Sequence, residues 1–171
     1  MIELMIAMIV LTASVGMLTS TITATAMQSA EKSERALAVE AARGIIEDMH
    51  NQSFSELFAL YNADPTDDPG GVGTAPGNVF NVTGLNVQAT DQDGFVGEIL
   101  LPSAAAPLLE NAVDQDLGLP RDLNGDLVID ELDHAADYLI LPLRIRVAWT
   151  GRAGPRELSM GTMMADIRKL R

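Results

Sequence analysis

The chain has 171 residues, a formal net charge of −13 and no cysteine. The negative charge argues against nucleic acid as a partner, because neutralising phosphate requires Lys and Arg. The lack of cysteine excludes disulfides, Cys-ligated zinc and thiol catalysis. Aromatic residues make up only 4%, while glycine and proline number 14 and 8. These values predict one globular domain with a modest core and long loops, next to an apolar N-terminal segment.

The first thirty residues are the most apolar part of the chain. No charged side chain occurs from Leu4 to Ala30, a run of 27 residues. As a helix this run would be roughly 40 Å long, enough to cross a hydrocarbon core of about 30 Å. A cleaved signal peptide begins with basic residues, and here none precedes Lys32. Glu3 is a candidate functional residue, because a carboxylate at the apolar end of a membrane helix is costly unless it is paired.

The apolar run continues without a helix breaker into Glu31–His50, which is rich in alanine. Its apolar residues recur every three or four positions and predict one buried stripe: Ala38, Ala41, Ala42, Ile45, Ile46 and Met49. Charged residues such as Glu40 and Arg43 fall on the other side. We therefore predict one helix from near residue 2 to near residue 50, apolar all round in its first half and amphipathic in its second.

The rest of the chain reads as a small sheet joined by loops. Within Asn51–Asn62 we predict a short helix, with Ser53 and Glu56 as a capping box. The Pro- and Gly-rich segment Asp64–Asn78 is predicted to be a loop. The predicted strands are Val79–Val87 (weak), Gly94–Leu101, Tyr138–Thr150 and Arg156–Ile167. Alternation in the last two, across a turn at Gly151–Pro155, indicates a hairpin, and Pro142 suggests an edge or bend at its start.

The decapeptide IELMIAMIVL, Ile2–Leu11, resembles the N-terminus of type IV pilins and type II secretion pseudopilins. In that family a leader ending in Gly precedes the mature chain, and a Glu stands at the fifth mature position of an apolar helix. Glu3 matches that Glu. The leader, its Gly and the first two mature residues are missing, so we expect the gene to extend upstream by a short basic leader. The C-terminal hairpin is weakly similar to that of minor pilins and pseudopilins.

The resemblance implies a pilin-like α+β fold, with a long N-terminal helix packed on a small antiparallel sheet with long loops. Residues 1–30 would be the transmembrane or filament-core half of the helix, and residues 31–171 the extracytoplasmic head. It also implies processing and N-terminal methylation by a prepilin peptidase, residence in the inner membrane as a single-pass protein, and assembly with other pilin-like subunits into a pilus or pseudopilus. Glu3 would pair with the N-terminal amine of a neighbouring subunit. The acidic, loop-rich head favours a minor subunit.

The acidic stretch Asp122–Asp133 follows the spacing of an EF-hand calcium loop. The predicted ligands are the side chains, and for Val128 the carbonyl, of Asp122, Asn124, Asp126, Val128, Asp130 and Asp133. Leu127 stands where glycine is usual, and Asp133 replaces the longer Glu, which leaves Glu131 as a substitute ligand. We expect calcium to order this loop, which no disulfide can tie down. The alternative is an Asx-rich turn without a metal.

No catalytic motif is present: the chain has two histidines, His50 and His134, and no phosphate loop or nucleophile elbow. We therefore predict a structural protein and not an enzyme. His134, next to Asp133, is interpreted as lying at the edge of the metal loop. A second hypothesis from a different class also remains open: a membrane-anchored extracytoplasmic calcium-binding module with no role in a filament.

Overall fold

A computed structural model describes residues 2–166 of the chain. The helices are α1 (Ile2–His50), a 3₁₀ turn (Phe54–Glu56) and α2 (Leu57–Tyr61). The strands are β1 (Val79–Phe80), β2 (Gly97–Leu100), β3 (Ile140–Gly151) and β4 (Gly154–Ala165). They form one antiparallel sheet in the order β1-β2-β3-β4. This confirms an α+β fold with a long N-terminal helix and a small antiparallel sheet. Met1 and Ile167, the predicted end of the last strand, lie outside the described residues.

Helix α1 is continuous over 49 residues, roughly 73 Å at about 1.5 Å per residue. No proline interrupts it, and its alanine-rich second half favours helix. In that second half Ala38, Ala42 and Met49 are buried, and the rest of the predicted stripe is half-buried. The charged residues on the opposite side, among them Glu40 and Arg43, are exposed. The predicted amphipathic packing face is therefore confirmed.

The β3–β4 hairpin is the longest part of the sheet, with its strands in register from the Ile140–Ala165 pair to the Gly151–Gly154 pair. The alternation predicted for β3 is confirmed, because Leu143, Ile145 and Val147 are each at most 1% exposed. Arg144 and Arg146 lie on the other face, where they pair with Asp116 and Glu157. Because α1 packs against β3 and β4, the core of the head lies between the amphipathic half of the helix and this face of the hairpin.

Pro142 lies near the start of β3, which is a central strand. Strand β2 pairs only with Arg144–Val147, so Pro142 lies beyond the end of β2. On its other side Pro142 is opposite Met163 of β4. On the β2 side Pro142 therefore has the edge position that its missing N–H requires, as predicted.

Three local predictions are wrong in detail. The weak strand predicted over 79–87 stops at Phe80, because a turn from Val82 to Leu85, with Gly84 at φ 92°, follows it. The strand predicted over 94–101 begins only at Gly97, after Gly94 at φ 79°. The short helix after α1 is present, but Ser53 makes no side-chain capping bond. Its hydroxyl lies 3.3 Å from that of Ser55.

Candidate assembly helix and metal centre

The first half of α1 extends away from the head, and every residue from 2 to 29 is exposed. Its large apolar side chains are 48–74% exposed, and those of Leu4, Ile9 and Leu18 are each more than 60% exposed. Within residues 2–166, α1 is the one helix that is long and apolar enough to cross a membrane. The chain thus presents an apolar rod roughly 42 Å long, at about 1.5 Å per residue, that nothing in the head covers.

The polar residues of this rod are suited to an apolar environment. Seven of its hydroxyls donate to a main-chain carbonyl one turn earlier, at 2.7–2.9 Å: those of Thr12, Ser14, Thr19, Ser20, Thr21, Thr23 and Thr25. A hydroxyl that is bonded to its own helix does not require water. The hydroxyls therefore do not prevent the rod from entering a bilayer or a bundle of similar helices.

Glu3 lies in the first turn of α1 and is exposed. Among the described residues it has no salt-bridge partner within the chain. A carboxylate in this position interacts favourably with the positive end of the helix dipole. If the rod is buried in membrane or in a bundle, a charged Glu3 carboxylate is costly unless a cation pairs with it.

In the head, the stretch Asp122–Asp133 folds into a series of turns held by its own side chains. The Asp122 carboxylate accepts from the Gly125 amide at 2.5 Å and from the Leu127 amide at 2.8 Å. Asn124 and Asp126 each accept from the amide two residues on. Leu127 has φ 71° and is 92% exposed, so the sharp turn expected where glycine is usual does occur here with a leucine.

Four of the six predicted calcium ligands are aspartates, and among the described residues no three of their carboxylates lie within 4.8 Å of one another. Among the described residues, the one group of three or more His or carboxylate side chains with ligand atoms within 4.8 Å of one another is Glu110, Asp130 and His134. Asp130 is the only predicted ligand in it. Oδ1 of Asp133 instead accepts from the amides of Leu108 and Ala135. Calcium bound by the six predicted residues remains a prediction.

Glu110 belongs to the irregular segment that precedes Asp122–Asp133 in the chain, and its side chain is completely buried. Its Oε1 accepts from the amides of Leu123 and Asn124, at 2.5 and 3.1 Å. Its Oε2 is buried and has no hydrogen-bond partner among the described residues. The nearest basic atom is Nε2 of His134, 3.9 Å away. An unsatisfied buried carboxylate oxygen is costly, so this atom marks an unusual site.

His134 is 3% exposed and is held through both ring nitrogens. Nδ1 lies 3.0 Å from Oδ1 of Asp137, and Nε2 lies 3.1 Å from Oδ1 of Asp130. Burial lowers the pKa of His134, but hydrogen bonds to the two aspartates and the charges of Glu110 and Asp137 outweigh this and raise its pKa above the ordinary value. The Leu132 amide and then His134 lower the pKa of Asp130. The group is thus a carboxylate-rich pocket around one imidazole.

The sequence pattern identified Asp130 and placed His134 at the edge of the loop, but it missed Glu110. Glu110 lies in the irregular stretch between Pro102 and Pro120, where no periodicity indicates burial. A single Glu between Leu109 and Asn111 gave the only signal, and it is a weak one. The position depends on long-range bonds to Leu123 and Asn124, which sequence spacing does not report.

No protein-family model matches the chain, and neither a curated protein nor a solved structure matches it significantly.

Proposed function

We propose that the protein is a pilin-like structural subunit, a minor pilin or pseudopilin, that assembles through the apolar half of α1. The observation that carries the proposal is the change of character along one unbroken helix. Residues 2–29 are exposed and apolar on all sides, whereas Ala38, Ala42 and Met49 are buried against the sheet. A plain membrane anchor has no need to continue as a rigid helix into the core of the domain it holds.

Two further features support the proposal. Seven of the eight hydroxyls of the rod are bonded to its own carbonyls, so many such helices can pack side by side without water. The single carboxylate of the rod, Glu3, then lies in an apolar bundle and needs a cation. The resemblance to pilins supplies that cation as the N-terminal amine of a neighbouring subunit. Pairing of this kind fixes the axial position of one subunit against the next, because an unpaired buried carboxylate is strongly destabilising.

The test is a Glu3→Gln variant, expressed from the chromosomal gene in the native host. Gln keeps the shape of the side chain and removes its charge. We expect the variant to insert into the membrane as well as the wild type, because loss of a charge favours insertion. Its recovery in sheared filaments, or in cross-linked oligomers with other pilin-like subunits, should fall at least about tenfold, equivalent to about 1.4 kcal/mol.

The matched control is Glu40→Gln, which makes the same change on the exposed face of the same helix. It should leave both membrane insertion and assembly unchanged. If the wild type stays in the membrane and never enters a filament or an oligomer, the anchored-module hypothesis replaces the filament proposal. If Glu3→Gln assembles as well as the wild type, pairing through Glu3 is wrong even though the class of protein stands.

A further inference from the structure

Oε2 of Glu110 is a fully buried carboxylate oxygen that faces the head interior without a hydrogen-bond donor among the described residues. It is directed towards Nε2 of His134, 3.9 Å away, and the Asp130 Oδ1 atom lies 3.1 Å from the same nitrogen. These three atoms come from two separate segments of the chain and meet in one place. The unpartnered oxygen is therefore an observation, independent of the acidic cluster, that points to a ligand at this place.

A proton on Nε2 does not satisfy the group. It would bond to Asp130, at 3.1 Å, and would leave Glu110 Oε2 beyond hydrogen-bonding distance. A metal ion between the three atoms would satisfy both carboxylates and the imidazole. In a tetrahedral site with bonds of about 2.0–2.1 Å, neighbouring ligand atoms lie about 3.3 Å apart. The two separations in the structure, 3.1 and 3.9 Å, lie on either side of that value.

His134 is also oriented as a metal ligand usually is. Its Nδ1 lies 3.0 Å from Oδ1 of Asp137, so Nδ1 can donate there while the lone pair of Nε2 faces Glu110 and Asp130. A carboxylate that holds the far nitrogen of a ligating histidine fixes its tautomer and increases its basicity. Asn124 Nδ2, 3.4 Å from the same Nδ1, is the other polar group next to this side of the ring.

We propose that Glu110, Asp130 and His134 bind a divalent transition-metal ion, with zinc as the reference ion. The imidazole nitrogen is the reason for this class, because calcium takes six to eight oxygen ligands whereas zinc accepts nitrogen and oxygen in a set of three with one open position. The ion would join the segment at Glu110 to the segment at Asp130–His134. In a chain without cysteine it takes the place of a cross-link in the long loop before β3. The site lies in the head, and the proposal does not rest on filament assembly.

The test uses the full chain in detergent, stripped of metal and freed of any purification tag. Zinc is titrated by calorimetry, and cobalt is titrated separately because its visible spectrum reports a nitrogen-containing tetrahedral site. We expect one equivalent of zinc to bind and millimolar calcium not to displace it. Glu110→Gln keeps the Oε1 acceptor for the Leu123 and Asn124 amides and replaces only Oε2. It should weaken zinc binding about 100-fold or more, and Asp137→Asn about 10- to 100-fold.

Two variants serve as controls. Glu131→Gln makes the same change on the exposed neighbour of Asp130 and should bind zinc like the wild type. Asp122→Asn removes the charge of the first predicted calcium ligand, which should weaken calcium binding, and should leave zinc binding intact. The proposal is overturned if the wild type binds no zinc, or if Glu110→Gln and His134→Gln, each shown to be folded by circular dichroism, bind it as the wild type does. It is also overturned if calcium displaces zinc and Asp122→Asn abolishes both, which would assign the ion to the calcium loop.

Discussion

The indole Nε1 of Trp149 donates to the Glu34 carboxylate across 3.2 Å, which joins β3 to α1 where the helix leaves the head. Trp149 is 4% exposed, and its partner across the hairpin is Arg156. Arg156 in turn forms a 2.5 Å ion pair with Glu31, one helical turn before Glu34. Two side-chain bonds, Trp149–Glu34 and Arg156–Glu31, therefore connect one cross-strand pair of the hairpin to one turn of α1.

We predict that Glu34→Ala lowers the free energy of unfolding by about 1–3 kcal/mol, because it leaves a buried indole N–H without an acceptor. Glu34→Gln retains an acceptor oxygen and should cost less than half as much. Denaturant unfolding in detergent, followed by the fluorescence of the single tryptophan, measures both. Glu40→Ala, on the exposed face of α1, is the control for the effect of alanine on the helix. Equal stability of Glu34→Ala and Glu40→Ala would show that the Trp149–Glu34 bond contributes nothing.

The ring of Phe80 on β1 fills the space that a side chain at Gly97 of β2 would need. The two residues are opposite each other, and a Cβ at position 97 would lie 2.2–2.6 Å from three atoms of that ring. We predict that Gly97→Ala lowers the free energy of unfolding by about 1–3 kcal/mol, the usual cost of overpacking. Thermal unfolding measures the change.

Gly161→Ala is the matched control, because Gly161 lies on β4 with no atom within 4 Å of an added Cβ. It should be as stable as the wild type or slightly more stable, since alanine loses less backbone entropy than glycine on folding. The double variant Phe80→Ala/Gly97→Ala should lose less stability than the sum of the two single changes. Strict additivity would show that Gly97 is not constrained by Phe80.

Leu127 lies in the left-handed region, at φ 71°, with its side chain 92% exposed. A residue with a Cβ costs about 1–2 kcal/mol in this conformation, and here almost no burial offsets the strain. Glycine removes this strain but loses more backbone entropy on folding, which offsets part of the gain. Leu127→Gly should therefore increase the free energy of unfolding by about 0.5–1 kcal/mol and raise the melting temperature. Val128→Gly, the same change at an exposed residue without a left-handed φ, should lower it. The prediction is wrong if Leu127→Gly is destabilised as much as Val128→Gly.

Tyr138 connects the start of β3 to the short helices after α1. Its hydroxyl donates to the Phe54 carbonyl at 2.6 Å and accepts from the Phe58 amide at 3.1 Å. Burial raises its pKa to about 12 from the ordinary 10.0, since the phenolate would lose its hydration. The neutral form is thus favoured in the folded state. The raised pKa of Tyr138 therefore adds about 3 kcal/mol to the free energy of unfolding, at about 1.4 kcal/mol for each pH unit between the two pKa values. This stabilisation is complete below pH 10.0 and is lost as the pH rises to about 12.

This is measured by titrating phenolate absorbance in a Tyr61→Phe variant, where Tyr138 is the only tyrosine left. We expect the midpoint near pH 12, with unfolding at the same pH. A midpoint close to 10 with the fold intact would contradict the burial of this hydroxyl.

The sequence predicted those parts of the fold in which buried apolar residues recur at a fixed spacing. The three- and four-residue spacing of Ala38, Ala42 and Met49, and the alternation of Leu143, Ile145 and Val147, each follow from one face of one element being buried. Strand β1 was predicted too long. Its length is set by its short partner β2, which pairs only with Val79 and Phe80, and the composition of β1 does not report this limit. Glu110 could not be predicted, because its burial is set by amides that lie thirteen and fourteen residues away in the chain.

The continuity of α1 has a mechanical consequence. A load applied along the apolar rod reaches the head first at Glu31 and Glu34, where side chains connect the helix to Arg156 and Trp149. These two residues are opposite each other near the closed end of the hairpin, next to the Gly151–Gly154 turn. Tension therefore enters the sheet through a cross-strand pair that is bonded on both strands, and it is shared by β3 and β4 at once. The acidic loops around residues 110–134 join the hairpin at its opposite end, where the amides of Leu139 and Ile140 donate to the Leu123 carbonyl.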